Sequence, residues 1–329
     1  VAARDLGVGG VVAVHAHPDD ETLASGALLA ACAATGLPVT VVTCTRGERG
    51  EVIGDELAHL EGDGPALGAH RERELASALA ALGVTDHLFL DTVPPAGARY
   101  EDSAMAWLAD GTAGATGELP AGAFVAAPLD EAAERLAQVL RDRRPDVVVT
   151  YEPGGGYGHP DHVRAHLVTT RAVQLAAQPA DGSRRAHAVP VLLWAAQDEA
   201  ALRAGRAALT RLDVTRGAAA GRRRGPLTVP AADGALPSVA VEGSRLDVRV
   251  PVAPVRDAVL AALRAHATQV QAVRAVDGDP ALVGCFALSN LELQPLLPAE
   301  GYRLARPGDA SALAALDAEQ WPWARRAPA

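Results

Sequence analysis

The run Val11-Val12-Ala13-Val14-His15-Ala16-His17-Pro18-Asp19-Asp20-Glu21 sets four apolar residues directly before a knot of imidazole and carboxylate groups. A short continuous apolar run predicts a buried strand, and residues 21–35, of helical composition and ended by Gly36, predict a helix behind it. The polar residues then fall in the strand-to-helix turn, at the carboxyl edge of the sheet. The unit recurs down the chain. Residues 39–43 read as a strand, 46–64 as a polar Gly-rich loop, 65–82 as a helix and 87–90 as a third strand. Residues 92–128, rich in Pro, Gly and Ala, read as a long functional loop with a short helix near Met105 and Trp107. Alternation then resumes with a helix over 129–143, a buried strand over 146–150 and a helix over 160–177. Successive strand and helix units of this length imply an α/β fold: a doubly wound, mostly parallel, Rossmann-like sheet.

After Gln178 the pattern loosens into what reads as a smaller C-terminal α+β region. Residues 191–194 predict a strand, 199–209 a helix and 211–235 a linker. Residues 239–242 and 245–250 alternate around Gly243-Ser244 as in a two-residue hairpin. A helix over 254–272 follows, and 310–329 is expected to fray. The organisation expected is therefore a Rossmann-like domain over 1–178, which carries the polar knot, and a smaller region over 179–329 beside it.

Composition removes several classes of function. Of 329 residues, 49% are hydrophobic but only 3% aromatic, so the core is built from Ala, Leu and Val, and a binding surface of stacked aromatics is not expected. A net charge of −10 repels nucleic-acid phosphates, and the one cationic run, Arg222-Arg223-Arg224, sits between glycines as a solvated loop would. Cys32, Cys44 and Cys285 form no C-x-x-C pair, which argues against a disulfide framework and a thiolate zinc site and favours a cytoplasmic location. No apolar run reaches the ~20 residues that span a bilayer, and the first residues lack a signal-peptide order, so neither membrane insertion nor export is expected.

A second polar knot, Gly156-Tyr157-Gly158-His159-Pro160-Asp161-His162, follows the strand over 146–150. Carboxyl ends of parallel strands line one crevice, so both knots are expected to meet there. His17, Asp20 and His162 would supply the three nitrogen and oxygen ligands of a hydrolytic zinc site, with a fourth place left for water. Asp19, beside Asp20 but unable to share its direction, is the candidate general base. His159 would meet the developing oxyanion or protonate the leaving amine, Tyr157 is a further oxyanion donor, and Asp161 would orient a neighbouring imidazole. Spacing leaves open which group protonates the nitrogen. The bland alternative makes Asp19 and Asp20 simple helix caps. His15 and His166 are expected to be packed or supporting histidines, and His59, His70, His87, His187 and His266 to serve packing or the surface. No G-x-S-x-G elbow supports a serine hydrolase. A dinucleotide oxidoreductase would need G-x-G-x-x-G after the first strand, where His-Pro-Asp-Asp stands instead.

The two knots resemble the signatures of the LmbE-like (PIG-L) zinc N-deacetylases, here Ala16-His17-Pro18-Asp19-Asp20-Glu21 and His159-Pro160-Asp161-His162. In that family the first His, the second Asp and the final His hold the metal and the first Asp is the base. Further stretches, among them Val41-Val42-Thr43-Cys44-Thr45, Val148-Val149-Thr150-Tyr151 and Ala265-His266-Ala267-Thr268-Gln269-Val270, are similar to the branch that works in mycothiol biosynthesis. That likeness implies one Zn2+ per chain, in a site that also accepts iron(II), and a small amino-sugar inositol as substrate. It also implies that Arg71 and Asp102 contact sugar or inositol hydroxyls, with Glu51 and Met105 nearby. The competing reading of Arg71 is a helix-surface ion pair with Glu72 or Glu74. Residues 59–68 and 94–120 fit the resemblance loosely. The paralogous mycothiol S-conjugate amidases carry Pro where this chain has Gly158. A carbohydrate-binding module that holds metal without catalysis would release no acetate.

Overall fold

The computed structural model describes residues 9–95, 97, 99–107, 113–114, 119–179, 185–212, 226–316 and 321–325. In chain order its elements begin with β1 (Val11–His15), α1 (Asp20–Ala34), β2 (Val39–Thr43), α2 (Gly64–Leu82), β3 (Asp86–Phe89), β4 (Ala106–Trp107) and β5 (Ala113–Gly114). They continue with α3 (Leu129–Arg143), β6 (Val147–Thr150), a single tight turn α4 (Gly155–Gly158), α5 (Pro160–Ala176), β7 (Val191–Asp198) and α6 (Glu199–Arg211). The remainder is β8 (Ala240–Val241), β9 (Val248–Pro251), α7 (Arg256–Ala265), β10 (Gln271–Ala275), β11 (Gly284–Ala287), β12 (Leu293–Leu296), β13 (Ala299–Leu304), α8 (Ala310–Ala315) and β14 (Ala324–Arg325).

One nine-stranded sheet runs β14-β9-β13-β7-β6-β1-β2-β3, with β8 beside β7. Strands β3, β2, β1, β6 and β7 are mutually parallel, whereas β13, β9 and β14 extend the sheet antiparallel. From β1 the chain winds outward through β2 and β3, then returns to place β6 on the other side of β1. The direction of winding therefore reverses between β1 and β6, and ligands of such sheets bind above that reversal, at the strands' carboxyl ends. Alternation along the strands divides the core. Val11, Ala13, Val147 and Val149 face the cluster that includes α1, α2 and α7 residues, while Val12, Val14 and Val148 face that of α3 and α5. Gly10 leads into β1 at φ 75°, where a Cβ would lie 2.0 Å from the Pro38 carbonyl oxygen.

The parallel half forms as the periodicity predicts, while the region after Gln178 departs from it. The sheet is continuous across that point, because β7 pairs with β6. Instead of a hairpin at Gly243-Ser244, residues Gly243–Arg245 make a 3-10 turn, β8 pairs parallel with β7 and β9 pairs with β13. Arg249 Nη2 donates to the Gly243 carbonyl at 2.7 Å, which holds the turn away from a two-strand ribbon. The helix expected over 254–272 stops at Ala265, since His266 takes ψ 53° and turns its ring onto Glu21. Ala106–Trp107 is a strand paired with Ala113–Gly114 rather than a helix. Leu227, within the expected linker, packs against Leu282 and Cys285, and Trp321 and Trp323 stack where fraying was expected. Arg222 to Arg224 lies outside the described residues. Among the described residues no helix is long and apolar enough to cross a membrane.

Candidate active site

Two strand ends deliver the site. Beyond β1, Ala16 donates its backbone N–H to the Tyr151 hydroxyl at 2.9 Å, which ties the first polar knot to the residue that follows β6. Beyond β6, the carboxylate of Glu152 accepts the N–H groups of Gly154 and Gly156, and Ser238 Oγ donates to it at 2.7 Å. That closes a turn in which Gly155, Gly156 and Gly158 all take positive φ. A Cβ on Gly155 would lie 2.9 Å from the Val163 nitrogen, so only glycine lets α5 start this close. His159 caps α5, its Nδ1 accepting the Asp161 N–H at 3.1 Å, and Pro160 opens the helix.

The two knots meet. Asp20 Oδ2 accepts the His17 backbone N–H at 2.9 Å and lies 3.2 Å from His17 Nδ1, while Asp20 Oδ1 lies 3.2 Å from His162 Nε2. His162 Nδ1–H donates to the Gly155 carbonyl at 3.1 Å, so Nε2 presents a lone pair toward the Asp20 carboxylate and is buried without a hydrogen-bond donor. His17 Nε2 lies 3.2 Å from Asp161 Oδ2 and 3.8 Å from Asp102 Oδ1, which leaves Nδ1 facing Asp20. Two imidazole nitrogens and a carboxylate thus converge, an arrangement that a shared cation, or a proton on His17, satisfies. Nitrogens of His17, His159 and His162 lie within 4.8 Å of one another, as do ligand atoms of His17, Asp102, His159 and Asp161. Burial opposes charge on His17, yet Asp102, Asp161 and Asp20 outweigh it and raise its pKa well above the usual value. Burial likewise works against ionised Asp20, and His162 and His17 overcome it, holding the carboxyl well below the usual range.

Asp19 does not cap α1. No capping hydrogen bond reaches its side chain, and its φ of 128° is a conformation that residues with a Cβ rarely adopt. Its backbone N–H donates to Glu21 Oε2 at 2.9 Å and its Oδ1 lies 3.3 Å from Arg71 Nη2. Burial, with Asp20 adding and Arg71, His266 and His17 opposing, raises its pKa to about 7. His159 is driven well below the ordinary imidazole value by burial and by its neighbours His17 and His162. It is therefore neutral, and acceptance at Nδ1 leaves its proton on Nε2. The Tyr157 ring stands edge-on to His162 at 5.0 Å.

Arg71 is not on the helix surface. Only 3% exposed, it donates to the carbonyls of Pro18 and Gly47 and meets Asp19, with a Cβ on Gly47 excluded by its Nη1. The ion-pair alternative falls, because Glu74 instead accepts from Thr268 and Glu72 lies by Arg46. Asp102 is buried and accepts the N–H groups of Ala104 and Arg49. Glu51 is half-buried, its carbonyl accepting Gln269 Nε2–H at 3.0 Å, and Met105 is half-buried on the approach to β4. A cavity of about 470 Å³ borders Asp20, Tyr157 and His162 and runs toward Leu202 and Phe286.

Two contributors escaped the sequence reading. Ser103 donates through its N–H and its hydroxyl to Asp161 at 2.8 and 2.5 Å, fixing the carboxylate that meets His17. His266, expected to be a packing residue, forms a fully buried pair with Glu21 at 2.7 Å. Burial raises the Glu21 pKa, but His266 wins and lowers it to about 2. The only sequence signal for either was the Ala265 to Val270 stretch. His15 binds Ser25 Oγ at 2.8 Å and His166 binds the Tyr151 carbonyl at 2.9 Å, both supporting roles.

Residues 12–173 match the family model PIG-L, GlcNAc-PI de-N-acetylase. A 1D-myo-inositol 2-acetamido-2-deoxy-alpha-D-glucopyranoside deacetylase of Kineococcus radiotolerans is 48% identical over 299 residues, covering 89% of this chain and 76% of the relative. The protein of the same name from Streptomyces avermitilis is 44% identical, covering 92% of this chain and 94% of the relative. Among solved structures, the 4-carboxy-2-hydroxymuconate hydratase GalB of Pseudomonas putida KT2440 aligns with a TM-score of 0.50 at 16% identity, over 91% of this chain and 97% of that one. This last likeness concerns the fold alone.

Proposed function

This chain belongs to the PIG-L de-N-acetylase family, and on that premise we propose that it hydrolyses the acetamide of N-acetylglucosaminyl-inositol to acetate and glucosaminyl-inositol, a step of mycothiol biosynthesis. The observation that carries the reading is the convergence of His17, Asp20 and His162, with His162 Nε2 aimed at the Asp20 carboxylate, beside the strained Asp19. Those three residues would hold one divalent cation, zinc in our reading. A cation of this kind polarises the amide carbonyl and acidifies water.

The remaining steps fall to the chain's own groups. Asp19 takes a proton from the attacking water as its oxygen bonds to the amide carbon, and its raised pKa suits a base that later gives that proton to the departing nitrogen. His159, neutral with its proton on Nε2, donates to the oxyanion as negative charge develops there, and Tyr157 is a second donor. Collapse of the tetrahedral carbon breaks the C–N bond. Asp161, itself fixed by Ser103, accepts His17 Nε2–H and so keeps Nδ1 free for the cation. Arg71 and Asp102 would offer a donor and an acceptor to sugar or inositol hydroxyls, with Glu51 and Met105 flanking. The substrate is a small amino sugar, and the site calls for neither nucleic acid nor membrane. We place the reaction in the cytoplasm.

The test combines metal analysis of the purified chain with acetate release from N-acetylglucosaminyl-inositol and from a mycothiol S-conjugate. Turnover of the first substrate at least tenfold faster is expected. Preference for the second would assign the chain to the amidase branch.

A further inference from the structure

Asp19 is held at two points that lie outside the metal cluster. Its side chain meets Arg71, and its backbone N–H meets Glu21 Oε2 at 2.9 Å. The second oxygen of Glu21 accepts from His266 Nε2 at 2.7 Å and from Thr22 Oγ1 at 2.5 Å, and neither Glu21 nor His266 has any exposed surface. His266 stands 245 residues away in sequence, at the end of α7. The turn it begins grips Glu21 directly and also α2, the helix that carries Arg71. Thr268 donates its N–H and hydroxyl to Glu74, three residues beyond Arg71 on α2, and its carbonyl accepts the Ile53 N–H at 2.9 Å. A left-handed φ at a residue with a Cβ persists only where its surroundings over-determine it. Here the determinant on the backbone side is a carboxylate whose own orientation is set by His266.

We propose that His266 and Glu21 are positioning residues for the base: the pair holds the Asp19 peptide in its positive-φ geometry and so aims the Asp19 carboxylate at the water it deprotonates. The proposal rests on Asp19 being that base. His266 touches neither substrate nor reacting atoms; it positions the Asp19 peptide through Glu21, and its charge also opposes the rise of the Asp19 pKa.

Steady-state acetate release is compared for wild type, His266→Phe and His266→Gln, each with its bound metal and its melting temperature measured. His266→Phe is expected to lower kcat about 100-fold, as small misplacements of a reacting group do, with KM and bound metal unchanged. His266→Gln, which keeps an N–H donor for Glu21, is expected to recover at least tenfold of that loss. Each variant is also made in an Asp19→Ala background, where neither should change the residual rate. Loss of metal in step with activity, an equal fold-loss in the Asp19→Ala background, or wild-type kcat in His266→Phe would each overturn the proposal. Should His266→Phe fail to fold, the isosteric Glu21→Gln carries the same comparison with Asp19→Ala. Near-normal activity in Asp19→Ala alone would instead refute the base assignment, so the two failures are distinguishable.

Discussion

The parallel strands β3, β2, β1, β6 and β7 and the antiparallel strands β13, β9 and β14 share one sheet but divide its work. Every group assigned here to chemistry comes from the parallel side: His17, Asp19 and Asp20 after β1, Arg71 from α2, Asp102 from the segment before β4, and Tyr157, His159, Asp161 and His162 after β6. The C-terminal part supplies props. His266 holds Glu21, Thr268 holds Glu74, Ser238 holds Glu152, and Glu300 of β13 accepts the N–H groups of Ala27 and Leu28 where α1 breaks at Ser25. Reactive groups thus come from the reversal of a parallel sheet, and their precision from contacts far along the chain.

Substitutions should reveal that division. The largest effect is expected from His162→Ala, which removes a donor from the convergence point: bound metal and acetate release should both fall to background, as should wild-type activity after dialysis against a chelator, with recovery on adding zinc. Asp19→Ala should keep the metal yet lose about 10²–10⁴-fold in kcat, the usual contribution of a general base. Asp161→Asn replaces the charged acceptor of His17 Nε2–H with a neutral amide and should weaken metal affinity or activity by about 10–100-fold, read by metal titration.

At Glu300, which props the α1 backbone and touches no reactive group, the effect should appear in stability instead. Glu300→Ala orphans the buried N–H groups of Ala27 and Leu28 and is expected to cost about 1–3 kcal/mol in chemical denaturation, with kcat close to wild type. Smallest of all, Glu199→Gln removes an exposed i,i+4 pair with Arg203 on α6 and should change stability by no more than about 0.5 kcal/mol. A collapse of kcat in Glu300→Ala at unchanged stability would break the comparison.

The same division governs how far the amino-acid sequence could be read. Helix α3 ends where its composition says, with Arg141 and Arg143 in the last turn, and β1 and β6 are continuous apolar runs. Motif spacing brought His17, Asp20 and His162 forward because each follows a strand at a fixed offset. Long-range pairing left no such trace. Residues 245–250 alternate as a hairpin strand would, but β13, some fifty residues on, supplies the partner. Ser103 sits in a Pro- and Gly-rich stretch without periodicity, and its hydrogen bond to Asp161 spans 58 residues. Position alone suggested Asp19 as a base, whereas its positive φ and the Glu21–His266 pair behind its N–H are joined by contacts that local patterning cannot show.

The central claim is that one cation, held by His17, Asp20 and His162, and the carboxylate of Asp19 act together above the reversal between β1 and β6. Stepwise zinc titration of the metal-free chain and of Asp19→Ala, with acetate release followed at each step, tests it most directly. The account predicts that both chains bind one equivalent tightly, and that activity rises to a plateau at that equivalent in the wild type alone. Full activity in the metal-free chain, or an equal rise in Asp19→Ala, would contradict it.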